Sequence, residues 1–327
     1  MMGYGHATMG AAAYLTLTST SVLALSVTPQ DVPTMATGAL LTAGAALLPD
    51  IDHHSATIAK TVPSARFLRW TLIASPTENV ARAVERVSGG HRHMTHSLIG
   101  IAVATAAAIP LALLHLPASW VTRLLGWVGV HLHPNQVGGG AGTNLGVLMV
   151  SVFLAAVASK ALELNQVSGG DLMALIMRTW LGLWIIGLAA GVYASTFLNV
   201  TWLVLLPAII LLGTFIHCVG DSLTTQGVAW LQPWNRPAPE AVYRAARRPP
   251  EPAGASARAL RAWAVHLGAR AVATCWPRNG YLRIPVLGSA GSKREKILDA
   301  ALGLYGAWLL FHDVVVAWAP DLTPYII

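Results

Sequence analysis

Charge is scarce in this chain. Asp, Glu, Lys and Arg make up 11% of its 327 residues, where a soluble domain carries about 25%. The shortfall points to a bilayer protein. Cysteine is nearly missing as well: Cys218 and Cys275 alone exclude a disulfide framework. Cys218 sits inside an apolar run, and both are expected as reduced thiols. The opening MMGYGHATMGAAAYL holds no Lys or Arg, so it lacks the basic region of a signal peptide, and residues 9–27 read as a retained first helix. Strand-like alternation is absent from the long apolar runs. Because lipid satisfies no backbone groups, each crossing is expected to be a helix.

What the chain does have is apolar length. A helix needs about 20 apolar residues to cross the hydrocarbon core. Stretches at roughly 9–27, 97–116, 144–164, 172–192, 196–218 and 298–318 qualify, and 34–48 is a shorter seventh, packed through Gly38, Gly44 and its alanines. The expected fold class is therefore all-α, a polytopic helical membrane protein of about seven transmembrane helices. Basic residues set the sidedness. Lys60, Arg66, Arg69, Arg82, Arg86 and Arg92 lie in 49–96, and twelve more run from Arg236 to Lys296. By the positive-inside rule both segments are cytoplasmic, which puts the N-terminus inside and the C-terminus outside. The net charge of +7 is then a matter of orientation, and no specific nucleic-acid partner is expected.

On that map the unusual polar residues converge. His6 precedes the first span. Asp50, Asp52, His53 and His54 (LPDIDHH) follow the second. His91, His93 and His96 (HRHMTH) precede the third, and His217 and Asp221 (HCVGD) end the sixth. Four separate stretches deliver carboxylates and imidazoles to one level of the cytoplasmic face, so a metal site is expected at that end of the bundle.

His217 and Asp221 are four apart and share a helix face. In an extended LPDIDH, Asp50 and Asp52 point the same way. Carboxylates bridge cations, and neutral imidazoles suit zinc or a similar transition metal. His6, Asp50, Asp52, His53, His91, His96, His217 and Asp221 are the candidate ligands. They exceed what one tetrahedral ion uses, so one to three divalent ions are expected, zinc first. A two-metal hydrolytic site of this kind activates water at neutral pH and clamps a phosphoryl or acyl oxygen. Asp50 and Asp52 are the candidate catalytic carboxylates, Arg92 the candidate attractor of an anionic head group, and Thr95, Ser97 and Thr224 the supports behind the ligands. His54, His93, His131, His133, His266 and His312 read as ordinary polar residues.

Taken together, GH at 5–6, LPDIDH at 48–53, GHRHMTHSL at 90–98 and HCVGDSLTTQGVAWLQP at 217–233 resemble the YdjM-like family of bacterial inner-membrane proteins, described as membrane-bound metal-dependent hydrolases. RIPVL and the helix after Lys293 are a plausible continuation. The resemblance implies a metal site in the spirit of zinc-dependent phospholipase C and the single-strand-specific zinc nucleases. It falls on His6, Asp50, His96, His217 and Asp221 first, and on Asp52, His53 and His91 second. The chain departs from the pattern at His93, where the family has Gly, and in an inserted pair of helices at about 117–195.

The expected organisation is a helical core over 1–234 that contains that insertion, a basic Pro-rich cytoplasmic arm over 235–292, and a final helix with its tail over 293–327. The GGGAGTNLG at 138–146 lacks the context and the Lys of a phosphate-binding loop. In the arm, 255–273 reads as a basic helix lying on the anionic leaflet. Membrane lipid is thus the expected partner, and a lipid or lipid-linked phosphoester the expected substrate. A metal-ion carrier or sensor is the alternative. Intramembrane charges would favour it, and Arg178 and the His312–Asp313 pair are the main ones.

Overall fold

Small residues set how closely the helices approach. A Cβ built on Gly10 would lie 2.8 Å from the Thr42 carbonyl oxygen, and one on Gly213 would lie 2.6 Å from the Ala45 Cβ. Both contacts fall on one helix, which is pinched between two others. The computed structural model describes residues 2–19, 32–62, 65–67, 70–73, 75–127, 131, 133, 143–164, 179–197, 202–250 and 257–318. Several expectations lie outside these residues: the far end of the first span (20–27), the start of the fourth apolar run after the insertion begins (172–178, with Arg178), the loop at 138–142, and the tail at 319–327.

The described chain is mostly helical. It begins with α1 (Gly3–Ser19) and α2 (Val32–Ala45), followed by a single 3-10 turn at Pro49–Asp52. Next come α3 (Pro76–Ser88), a second 3-10 turn at Met94–His96, α4 (Leu98–Ala112) and α5 (Ala118–Trp127). After these stand α6 (Leu145–Ala161), α7 (Trp180–Val192, continued by a π turn at Tyr193–Phe197) and α8 (Trp202–Ser222). The chain closes with α9 (Glu240–Arg247), α10 (Ala257–Cys275) and α11 (Lys293–Trp318). Two small antiparallel pairs, not anticipated, interrupt the helices: β1 (Ala65–Phe67) with β2 (Trp70–Ile73), and β3 (His115–Leu116) with β4 (Thr143–Asn144).

Helix ends follow their capping residues. Ser75 accepts from the Glu78 N–H at 3.2 Å, with Pro76 in the first turn, and Gly89 ends α3 at φ 85°. Asn144 accepts from the Val147 N–H at 2.8 Å to start α6, while its amide donates to the Ala112 carbonyl at the end of α4, 2.6 Å away. At the centre α2 contacts α1, α6 and α8. The core around it holds Tyr14, Leu41, Leu154, Leu206 and Ile209. Outward faces stay apolar: Val103 on α4, Leu188 on α7 and Phe311 on α11 are more than half exposed.

Among the described residues, two helical stretches are long and apolar enough to cross a bilayer: Pro33–Asp52, of 20 residues, and Trp202–Ser222, of 21. Seven crossings are thus not established. Leu98–Ala112, Leu145–Ala161 and Leu181–Ser195 are apolar but shorter. At its 15 residues, α4 reaches about 22 Å at 1.5 Å per residue, against about 30 Å of hydrocarbon.

The described residues of 235–280 are packed against one another. They include α9, and Tyr243 Oη accepts from the Ala238 N–H at 3.1 Å and donates to the Trp276 carbonyl at 2.8 Å. The helix expected at 255–273 is α10, packed against α9. RIPVL returns to the core: the Val228 and Leu282 backbones exchange hydrogen bonds at 3.0 and 2.9 Å, and the Ile284 N–H donates to the Ser222 carbonyl at 2.6 Å.

Candidate metal centre

Each candidate ligand sits where a helix starts or stops. His6 lies in the first turns of α1, His96 in the 3-10 turn before α4, and His217 and Asp221 in the last turns of α8. Glu295, fully buried, holds that end of α1 by accepting from the Met2 N–H at 2.6 Å and the Gly291 N–H at 2.8 Å. Sequence reasoning missed this residue. The available signal was an acidic group in the first turn of α11, where the helix dipole favours it.

LPDIDH departs from the extended reading. With Pro49 in its first turn, the segment forms a 3-10 turn. At three residues per turn, Asp50 and Asp52 diverge. They nonetheless reach opposite nitrogens of one ring: Asp50 Oδ1 is 3.5 Å from His96 Nε2, and Asp52 Oδ2 is 3.4 Å from His96 Nδ1. Asp52 is fully buried and well supplied. It accepts from the Arg92 N–H at 3.1 Å and from the Thr95 hydroxyl, and His91 Nδ1 lies 2.8 Å from its other oxygen. Arg92 reaches this position at φ 63°, the left-handed region that a non-glycine residue occupies at a cost.

The proton positions follow from the neighbours. His217 Nδ1 lies 2.6 Å from the Ala46 carbonyl oxygen, which only accepts, so Nδ1 carries the hydrogen and the neutral ring presents a lone pair at Nε2. The Thr95 hydroxyl spends its hydrogen on Asp52, so its oxygen, 3.0 Å from His96 Nδ1, accepts from that nitrogen. In its neutral form His96 then also presents a lone pair at Nε2; in its protonated form that nitrogen donates to His217 Nε2. The two Nε2 atoms face each other at 3.0 Å. Two lone pairs at that distance repel unless a cation or a proton stands between them. Asp50 Oδ1 lies 3.6 Å from His217 Nε2, and Asp221 Oδ2 lies 3.8 and 3.7 Å from the two nitrogens. The ring of His6 stacks on that of His217 with centroids 3.7 Å apart. Its buried nitrogens have no hydrogen-bond partner, Nε2 standing 3.3 Å from Asp221 Oδ1, and a buried polar atom left this way is costly.

These residues fit a metal ion. Three overlapping groups have ligand atoms close enough to share one: His6, Asp50 and His217; Asp50, His91 and His96; and His96, His217 and Asp221. The backing carbonyl on His217 and hydroxyl on His96 are the supports that hold a ligating imidazole in one tautomer. Burial works against a charge on His96, but Asp50 and Asp52 outweigh it and hold the ring up at about 9.

The remaining expected residues divide. Arg92 is buried and turned inward, its guanidinium 2.9 Å from both oxygens of Asp221 and 3.3 Å from the Gly227 carbonyl. Its charge already has a carboxylate partner, which departs from the head-group role expected of it. His53 stands at the rim, its ring 4.6 Å from that of His91 and its Nδ1 2.8 Å from Ser55 Oγ, and it joins none of the three groups. Partial burial and the neighbouring His91 lower its pKa. Thr224 donates to the Asp221 carbonyl at 2.7 Å. Ser97 caps α4 by accepting from the Gly100 N–H at 3.2 Å, so it supports the helix and not a ligand. His54 pairs with Glu85 at 3.7 Å, His93 packs on Tyr281, and His266 Nδ1 meets the Ala245 carbonyl; all three lie apart from the cluster. Both cysteines are free.

No curated protein and no solved structure matches the chain, so the likeness to phospholipase C and the zinc nucleases finds no counterpart there. The candidate ligands divide unequally about the family match, because His217 and Asp221 lie beyond it. Residues 1–135 match the family described as YdjM inner membrane protein.

Proposed function

We propose that the protein is a membrane-bound metal-dependent hydrolase that acts on a phosphoester of a lipid or lipid-linked molecule at the cytoplasmic face of the inner membrane. The 3.0 Å approach of His96 Nε2 and His217 Nε2, ringed by Asp50, Asp221 and His6, carries the reading. Two stretches long and apolar enough to span, Pro33–Asp52 and Trp202–Ser222, support the location. Both end at this cluster, and the basic segments on either side of it favour the inner face. In this reading about seven helices cross, the N-terminus is inside and the C-terminus outside.

One or more zinc ions bound here would activate water and polarise a phosphoryl oxygen. His6, Asp50, His96, His217 and Asp221 would hold the metal, and Asp50 is the carboxylate common to two of the ligand groups. Asp50 is also the most open carboxylate of the cluster, its side chain 18% exposed, so it would be the group to take a proton from a water activated there. Asp52 orients His91 and His96 from behind, and Arg92 holds Asp221 in place.

The test is elemental analysis of purified protein together with turnover of bis(p-nitrophenyl) phosphate and a diacyl phospholipid. At least one zinc per chain, with turnover lost on chelation and restored by zinc, supports the proposal. The near-complete burial of His6, His96, His217 and Asp221 favours a second reading, a metal carrier or sensor, since catalytic sites keep an open position. Bound metal, no turnover of any ester, and zinc uptake into proteoliposomes would establish that reading in place of the first.

A further inference from the structure

The walls beside the metal centre have nothing polar left to offer. A cleft of about 800 Å³ lies between α3, α4, α6 and α8 and reaches the metal turns through Pro49, Ile51, Met94 and Thr95. Thr95, Ser88 and Thr214 are the lining residues that carry hydroxyls, and each hydroxyl is spent within the protein. Thr95 donates to Asp52, Ser88 to the Glu85 and Gly90 carbonyls, and Thr214 to the Ile210 carbonyl. The other lining side chains are aliphatic, or Met and Phe, with one Gly and one Pro. Such a wall recognises no sugar, base or phosphate. The volume falls in the range of sites that hold small molecules.

The mouth is apolar too. Val87 is 84% exposed, Val103 62% and Met149 61%, and all three line the cleft. An apolar opening of this kind is unfavourable against water and suits hydrocarbon. Charge is kept to the far side of α3, where Arg82 pairs with Glu78 at 2.7 Å. One end of the cleft is therefore open and greasy, and the other is lined by Pro49, Ile51 and Thr95, the chain neighbours of Asp50, Asp52 and His96. The expected occupant has an alkyl chain and a charged end.

We propose that this cleft holds an acyl chain of a membrane phospholipid, admitted between α3 and α4 from the surrounding bilayer, with the phosphate directed to the metal centre. This rests on the hydrolase reading above and deepens it: the cleft selects for chain length, and the metal centre acts on the head.

The test uses full-length protein in phosphatidylglycerol nanodiscs doped with phosphatidic acid that carries a diazirine at the end of one acyl chain. Photolysis is followed by peptide mapping. Ala83 and Ala107 line opposite walls and are exposed to the cleft, so Ala83→Phe and Ala107→Phe each fill it from a different helix, and neither touches a ligand. Cross-links on 80–111 in the parent protein that fall at least tenfold in either variant, at unchanged zinc content, support the proposal. Cross-links of equal yield in parent and variants, or confined to α10 or α11, overturn it. So does labelling by a diazirine fatty acid as strong as that by the phospholipid, or a protein–protein cross-link running through α3 and α4, which would put a second copy there. Turnover of bis(p-nitrophenyl) phosphate is measured in parallel. Cross-links in the cleft without turnover leave the cleft assigned and remove the hydrolase. Turnover without such cross-links does the reverse.

Discussion

The rings of His6 and His217 lie face to face, 3.7 Å between centroids and 16° from parallel, although one comes from the first helix and the other from the eighth. Two imidazolium ions at that distance would repel each other, so the stack suits neutral rings. The same pair joins the two halves of the cluster. His6 reaches Asp221, and His217 reaches both Asp50 and His96.

Removing His217 should empty the site. In His217→Ala the lone pair facing His96 is lost and α8 no longer donates to the Ala46 carbonyl. Bound zinc measured by elemental analysis should fall below a tenth of the parent value while the protein still extracts from membranes as a folded species. Parental zinc content in this variant would remove His217 from the ligand set.

Asp221 has two duties, and they can be separated. It faces the metal gap and also neutralises buried Arg92. Breaking a buried pair from one side costs about 3–5 kcal/mol. Asp221→Ala should therefore lower thermal stability as well as metal content. Arg92→Met with Asp221→Leu should regain much of the stability but none of the metal, read by a melting scan and elemental analysis on the same samples.

Thr95 acts through Asp52 and His96. Thr95→Val keeps the shape and deletes the hydroxyl, so both His96 Nδ1 and Asp52 lose a partner. Zinc affinity should fall about 10–100-fold, and Thr95→Ser should restore it. Competition with a chromophoric chelator gives the number. Equal affinity in all three proteins would leave Thr95 without a role.

The pH dependence has opposite signs with and without metal. Without metal, His96 sits at about 9 against an unfolded 6.5. Its charged pairing with Asp50 and Asp52 stabilises the fold fully below about 6.5 and is lost as pH rises through about 9. Metal needs the neutral ring, so zinc affinity should rise with pH across that window by up to about tenfold per unit, with release of a proton. Titration calorimetry in buffers of different ionisation enthalpy reads that proton directly.

Much of the cluster was legible because its signals were local. The four-residue spacing of His217 and Asp221 survives intact on α8, and HRHMTH delivers His91 and His96 to the same carboxylate. What the sequence concealed depended on backbone conformation. Asp50 and Asp52 diverge because Pro49 starts a 3-10 turn, and Arg92 turns inward at a positive φ. The Ala46 carbonyl that fixes the tautomer of His217 has no side-chain signature at all. α3 was readable but unread: SPTE at 75–78 is a serine cap with an acid three residues on, which marks a helix start. The spans were the weakest inference. Hydropathy gives the length of an apolar run but not where α4 stops, two residues past Pro110, or where α7 passes into a π turn.

The cluster is stitched from the beginning and the middle of the chain, and this orders events during synthesis. His6, Asp50 and His96 emerge early, but His217 and Asp221 wait for α8. A nascent chain that has released only its first four helices offers half a cage, too few donors to keep a scarce ion against cellular chelators. Under the proposed metal reading, capture of the cation would be a late step that waits for α8, and a loaded centre would report that α1 and α8 have found each other.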